Sequence, residues 1–251
     1  MKTNRLVLCL SLFFIFCIAS CTVNTEVRKK QEEASRNLGE AYMQQKDFSS
    51  ALREFLKAEK LYSRDPYLQN DFGLVYMAKG RLDLAIKHFK KAVKIKPDYA
   101  PAINNLGTAY LAKKEWAVAI ACFKKIIDDI LYTTPHFPLT NLGWAYYNKQ
   151  EYEVAKKYYS DALKMEPNFI IALRGIGRTY IALGRAADAV AMLEKAVKKY
   201  PRSAESYFYL AKAYSLSHEY KKAVSAYNKV VELAPDSAIA REAQKEAERI
   251  K

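Results

Sequence analysis

Among the residues of this chain whose types could do chemistry, Cys21 has the most specific setting. Ile18, Ala19 and Ser20 precede it, one aliphatic side chain and two small ones, at the end of an apolar run that begins at Leu6. The other reactive types are scattered. His88, His136 and His218 lack the spacing of metal ligands, no glycine-rich phosphate loop occurs, and no serine lies in a nucleophile elbow. Asp128 and Asp129 fall at a helix end, where solvated carboxylates are ordinary. Cys122, beside Phe123, reads as a buried structural cysteine. The expectation is a protein without catalysis, metal or cofactor.

The segment 1–20 carries Lys2 and Arg5 and then Leu6 to Ala19, an apolar stretch too short for a stable membrane-crossing helix but suited to an export signal. With Cys21 it resembles the bacterial lipoprotein signal, which implies a mature chain that starts at an acylated Cys21. The alternative is a plain signal peptide cleaved nearby. Two or three acyl chains, at about 0.8 kcal/mol per buried methylene, hold a protein at a membrane almost irreversibly. Thr22 stands where an aspartate would mean retention at the inner membrane, so the expected place is the periplasmic face of the outer membrane of a Gram-negative cell. Cys9 and Cys17 leave with the signal, and a lone Cys122 closes no internal disulfide, so the fold must hold by packing.

A composition 51% hydrophobic excludes disorder. The formal charge is +14, which removal of Lys2 and Arg5 reduces to +12. In an exported protein this excess does not argue for nucleic acid. The lysines pair along the chain as Lys90-Lys91, Lys124-Lys125, Lys156-Lys157 and Lys221-Lys222. They read either as a solvated outer face or as a basic surface for anionic headgroups or an acidic partner.

Any binding residues must be positioned by a repeated unit. Gly39, Gly73, Gly107, Gly143, Gly177 and Ala211 are separated by 34, 34, 36, 34 and 34 residues. A tyrosine follows each by three, from Tyr42 to Tyr214, and an alanine nine later, from Ala51 to Ala223. Thirty-four is the period of the tetratricopeptide repeat, two antiparallel helices A and B that bury their apolar faces only by stacking on neighbours. Two further columns, Phe55 to Tyr227 and Phe48 to Tyr220, supply core, and Pro97, Pro167, Pro201 and Pro235 end helix B. The fold class is therefore all-α: a right-handed superhelix of six helix-turn-helix repeats, about 32–65, 66–99, 100–135, 136–169, 170–203 and 204–235. A linker over 21–31 precedes them, and a capping helix over 236–251 follows with Ile239, Ala243, Ala247 and Ile250 on its apolar side. Helix B of the third repeat is expected to run past Ile127 into 128–135, two residues beyond the period.

Around that junction stand Asn104-Asn105, then Asp129 to Leu131-Tyr132 with Pro135, then Asn141-Leu142-Gly143. With six repeats and the Cys21 signal, this pattern resembles the pilotin lipoproteins of type IV pilus systems, the PilF/PilW family. The later repeats depart from that family by staying close to consensus, Gly177 with Pro201 and Tyr214 with Pro235. The resemblance implies a binding role, that of helping a secretin, the outer-membrane pore, to insert and form its ring. It implies no small-molecule substrate and no nucleic acid. In the superhelix the concave groove is lined by helix A. The register places Asn70, Leu74 and Met77 there, then Asn104, Thr108 and Leu111, then Trp144 and Tyr147, then Arg174 and Arg178, and finally Phe208 and Lys212. Arg174 and Arg178 suggest the clamp that grips acidic chaperone tails, but Thr140 and Trp144 stand where its lysine and asparagine belong. Two other readings remain: a lipoprotein adaptor for envelope proteases or peptidoglycan enzymes, and a subunit of an outer-membrane protein assembly complex.

Overall fold

The computed structural model describes residues 25–127 and 133–250. Cys21, the signal segment and the acidic, leucine and tyrosine residues of the junction lie outside them. All described regular elements are helices. They are α1 (25–44), α2 (Phe48–Leu61), α3 (Pro66–Ala78), α4 (Leu82–Ile95), α5 (Ala100–Ala112), α6 (Trp116–Lys124), α7 (His136–Asn148), α8 (Tyr152–Met165), α9 (Ile170–Ala182), α10 (Ala186–Lys199), α11 (Ala204–Leu216), α12 (Tyr220–Leu233) and α13 (Ala238–Arg249). Contacts group them into two compact units, one up to Ala109 and one from Tyr110 onward.

The turn from helix A to helix B is the same in every repeat. Lys46, Gly80, Lys114, Gln150, Gly184 and His218 adopt φ between 60° and 70°, the left-handed conformation that ends a helix. The residue after each then donates its N–H to the carbonyl of the tyrosine column. Asp47 bonds to Tyr42, Arg81 to Tyr76, Glu115 to Tyr110, Glu151 to Tyr146, Arg185 to Tyr180 and Glu219 to Tyr214, all at 2.8–2.9 Å. Most B helices therefore start without a side-chain cap. The exception among them is α2, whose Asp47 carboxylate accepts from the Ser50 N–H.

The glycine column exists because an aromatic or leucine side chain from helix B already fills the space. A Cβ on Gly73 would lie 2.4 Å from the Phe89 ring. In the first unit Phe55 and Phe72 meet edge to face at 5.6 Å, with Ala51, Ala58, Leu68 and Val75 closing the core around them. In the second unit Leu193, Phe208, Leu210, Tyr214, Tyr227 and Val230 form the core between α10, α11 and α12.

Helix α13 closes that core. Ala240, Ala243 and Ala247 are buried, while Ile239 and Ile250 pack partly buried on the same cluster. The Ser237 hydroxyl accepts from the Ala240 N–H at 3.1 Å and satisfies one of the helix's first amide donors. Ser237→Ala is expected to destabilise the C-terminal end by about 1 kcal/mol, read as earlier hydrogen exchange in α13. Unchanged exchange there would mean that packing alone sets the start of the helix.

One expectation is corrected. The third helix B does not reach Ile127: α6 ends at Lys124, nine residues long where its counterparts have fourteen, and the expected stretch over 128–132 lies outside the described residues. The amides of Lys125 and Ile126 turn inward to Cys122 and Phe123, three residues back, so the chain tightens into a turn. Cys122 itself is half-buried, beside the fully buried Phe123.

Candidate functional site

In the second unit, α7, α9 and α11 are the A helices of successive repeats and pack side by side. Their shared face brings together three rings and a guanidinium. Trp144 and Tyr147, one turn apart on α7, stack with ring planes 6° apart and centroids at 6.1 Å. Arg178 of α9 lies 4.7 Å from the Trp144 ring centroid and 4.8 Å from that of Tyr147. Tyr209 of α11 lies 4.8 Å from the same guanidinium. Cation–π contacts contribute about 0.5–2 kcal/mol each, more as water is excluded. Burial pushes the Tyr209 hydroxyl pKa up, against the pull of Arg178, so it stays a neutral donor at ordinary pH.

One turn earlier on α9, Arg174 pairs with Glu205 of α11 at 2.8 Å and ties the two helices. Lys212 of α11 reaches Glu242 at 3.2 Å and lies 4.5 Å from the Phe208 ring. Arg178 has no carboxylate within salt-bridge distance among the described residues, and its Nε is buried without a hydrogen bond. The Trp144 carbonyl accepts from Asn148 Nδ2 at 2.8 Å, which steadies the end of α7 beneath the stacked rings.

The expected register is partly corrected. Phe208, 3% exposed, belongs to the core against Tyr227, and its neighbour Tyr209 takes the place on the face. One residue turns a helix by 100°, so a shift of one position exchanges core and surface. Leu111, 8% exposed, is also core.

In the first unit the A-helix residues form a polar network. Asn70 is buried and accepts a bond from Asn105 Nδ2 at 2.9 Å. Asn104 is half-buried, and its Oδ1 is buried without a partner. Thr108 bonds back to the Asn104 carbonyl, and Leu74 and Met77 are half-buried. Asn70 thus serves the packing of α3 against α5 and is closed to a ligand.

Sequence reading missed the charges next to this network. Arg36 of α1 lies 2.7 Å from Glu40, 3.3 Å from Asp65 and 3.8 Å from Asp71. Glu32, one turn before Arg36, is 4% exposed, with Oε1 buried and unbonded. Burial first, then the nearby Asp65, pushes the Glu32 pKa up to about 7; burial first, then Glu40, does the same to Asp71. Only the i, i+4, i+8 spacing of Glu32, Arg36 and Glu40 could have marked this face.

Of the paired lysines, Lys91, Lys156 and Lys222 each meet a glutamate, Glu59, Glu153 and Glu219. These three ion pairs lie on the surface, where each contributes little to stability.

These stacked hairpins, with a small residue, glycine or alanine, and a tyrosine in register in each A helix, define a tetratricopeptide-repeat protein, a helical scaffold for binding other proteins. Residues 73–114 match the TPR repeat, and residues 137–169 and 174–238 match the tetratricopeptide repeat. The chain is similar in fold to PilW, a widely conserved type IV pilus biogenesis factor, with a TM-score of 0.79 and 22% identity over 85% of this chain and 98% of that one. It is likewise similar to PilF of Pseudomonas aeruginosa, with a TM-score of 0.76 and 19% identity over 87% of this chain and 99% of that one. YrrB, a TPR protein with an unusual peptide-binding site, superposes with a TM-score of 0.57 and 20% identity over 76% of this chain and 97% of that one. Among curated sequences, the CTR9 homolog of Arabidopsis thaliana is 29% identical over 102 residues, which are 39% of this chain and 9% of that protein.

Proposed function

We propose that this protein is a lipid-anchored pilotin. Acylated at Cys21, it stays at the periplasmic face of the outer membrane and promotes localisation and multimerisation of a secretin for type IV pilus biogenesis. The observation that carries this reading is the fold shared with PilW and PilF along almost the whole of both chains. The Cys21 setting supports the anchor, since an assembly factor works where its client inserts. The face of Trp144, Tyr147, Arg178 and Tyr209 supports a protein client: half-exposed aromatics and an arginine are the residue types that dominate binding energy at interfaces.

The test is affinity capture from detergent-solubilised envelopes of the native host, comparing wild type with Cys21→Ser and Trp144→Ala. Wild type is expected to recover a secretin, and the Cys21→Ser strain to hold fewer heat-resistant secretin multimers. Trp144→Ala is expected to recover about tenfold less client with little change in melting temperature, because the indole is only half-buried. Recovery of proteases or cell-wall hydrolases without a secretin overturns the reading. A loss of about 3–5 kcal/mol in Trp144→Ala would instead make the indole core.

A further inference from the structure

We propose that Arg178 and the rings around it recognise an acidic side chain inside an extended segment of the client, with apolar side chains of that segment packed on either side. The inference rests on reading this face as the client site and adds the chemistry that the client must present.

Three cations occupy the face, and two are already neutralised. Arg174 has Glu205 at 2.8 Å and Lys212 has Glu242 at 3.2 Å. Arg178 follows Arg174 by one turn on α9, and among the described residues no carboxylate reaches it. Its charge is held at 4.7–4.8 Å from three ring centroids. Rings stabilise the charge through their π faces but use none of the five N–H donors of a guanidinium. Those donors are arranged in a planar fork that matches a carboxylate with two parallel hydrogen bonds. The buried, unbonded Nε shows that the free arrangement leaves donor capacity unused where water does not reach. A carboxylate placed here meets an unopposed positive charge with apolar surface around it.

The rings decide between a side chain and a chain end. Trp144 and Tyr147 come from α7 and Tyr209 from α11, so aromatic surface flanks Arg178 from both neighbouring helices. A chain crossing α7, α9 and α11 covers a ring, pairs with the guanidinium and covers a ring again. A terminal carboxylate would leave one side bare. A cationic client residue is disfavoured because Arg178 already occupies the space between the rings.

The probe is an array of blocked dodecapeptides with leucine two positions before and after a central glutamate, glutamine or lysine, the other positions randomised. A fourth set ends in a free carboxylate at that central position. Full-length protein purified in detergent is expected to be retained at least tenfold more by the glutamate set than by the other three. Arg178→Gln should abolish the preference and Arg178→Lys, which keeps the charge, should retain part of it; both lose ring contacts and melt below wild type, so retention is read well below the melting transition of each variant. Equal retention of glutamate and glutamine, preference for lysine or for the chain end, or no retention at all overturns the proposal.

Envelope capture with Arg178→Gln separates this from the pilotin reading. A secretin recovered equally by wild type and Arg178→Gln keeps the pilotin and removes the acid recognition. A glutamate preference on the array without any secretin in the capture does the reverse.

Discussion

Tyr159→Ala is expected to lower the stability of the second unit by about 3–5 kcal/mol and to abolish client binding as well. Tyr159 is 1% exposed, and the ring sits where two glycines approach it. A Cβ on Gly143 of α7 would come 2.8 Å from the ring, and one on Gly175 of α9 would come 2.4 Å from it. One side chain of α8 therefore sets the spacing of the two helices that carry Trp144, Tyr147 and Arg178. Removing it opens a cavity that these helices fill only by moving, which separates Arg178 from its rings. Burial raises the pKa of the Tyr159 hydroxyl, so the group is neutral throughout. Tyr159→Phe, which keeps the ring, should cost less than about 1 kcal/mol.

The converse substitution tests the same clamp from the other side. Gly175→Ala gains about 0.5–1 kcal/mol of helix propensity, and overpacking against a rigid ring costs about 1–3 kcal/mol, so a net loss is expected. Both tryptophans, Trp116 and Trp144, lie in the second unit, so fluorescence-monitored denaturation reports on that unit alone. A stabilised Gly175→Ala would show that α9 can shift, and the clamp would not hold.

The contrast between Gly175 and Gly177 shows which features a sequence displays. Gly177 belongs to the 34-residue column and is predictable because its partner is in its own repeat: a Cβ there would meet Leu193 at 2.5 Å. Gly175 answers to Tyr159 of the preceding repeat, a contact between units of the array that a column does not mark. The left-handed turns were hidden for a different reason. Four of the six are Lys46, Lys114, Gln150 and His218, none of them the glycine that marks such a turn, and positive φ costs roughly 1 kcal/mol at each. They persist because the bond to the tyrosine carbonyl and the packing of both helices over-determine the turn.

At the site, Trp144, Tyr147 and Arg178 could be found by period because the face repeats with the fold. Tyr209 could not, since the choice between positions 208 and 209 depends on how far α11 is rotated. That rotation is set by the burial of Phe208 on Tyr227. The end of α6 was also out of reach, because the apolar Ile126 and Ile127 fit a helix as well as they fit the turn they make.

Raising the pH from 5 to 8 is expected to weaken the first unit by on the order of 2 kcal/mol through Glu32 and Asp71. Both carboxyls have pKa values pushed up to about 7, from 4.5 and 3.8, first by burial and then by Asp65 and Glu40 respectively. A raised acid binds more protons folded than unfolded, so its stabilisation is full below the unfolded value and disappears as pH rises through the folded one. The loss therefore runs from about pH 3.8 for Asp71 and about pH 4.5 for Glu32 to about pH 7 for both. Arg36 softens it, being within 3.8 Å of Asp71, yet it must also serve Glu40 and Asp65. His88 of α4 acts in the opposite sense. Burial lowers its pKa below 6.5, so keeping it neutral in the folded state costs stability only on the acid side. Wild type alone would show the sum of these two effects. Glu32→Gln with Asp71→Asn removes the carboxylate part and should flatten the dependence above pH 6, read as hydrogen exchange in α1 and α3 after correction for intrinsic rates. If exchange in α1 still rises with pH in that variant, the loosening lies elsewhere. If it no longer does, the proton held on Glu32 and Asp71 is what keeps α1 seated on α3, where no 34-residue column supplies a charge partner.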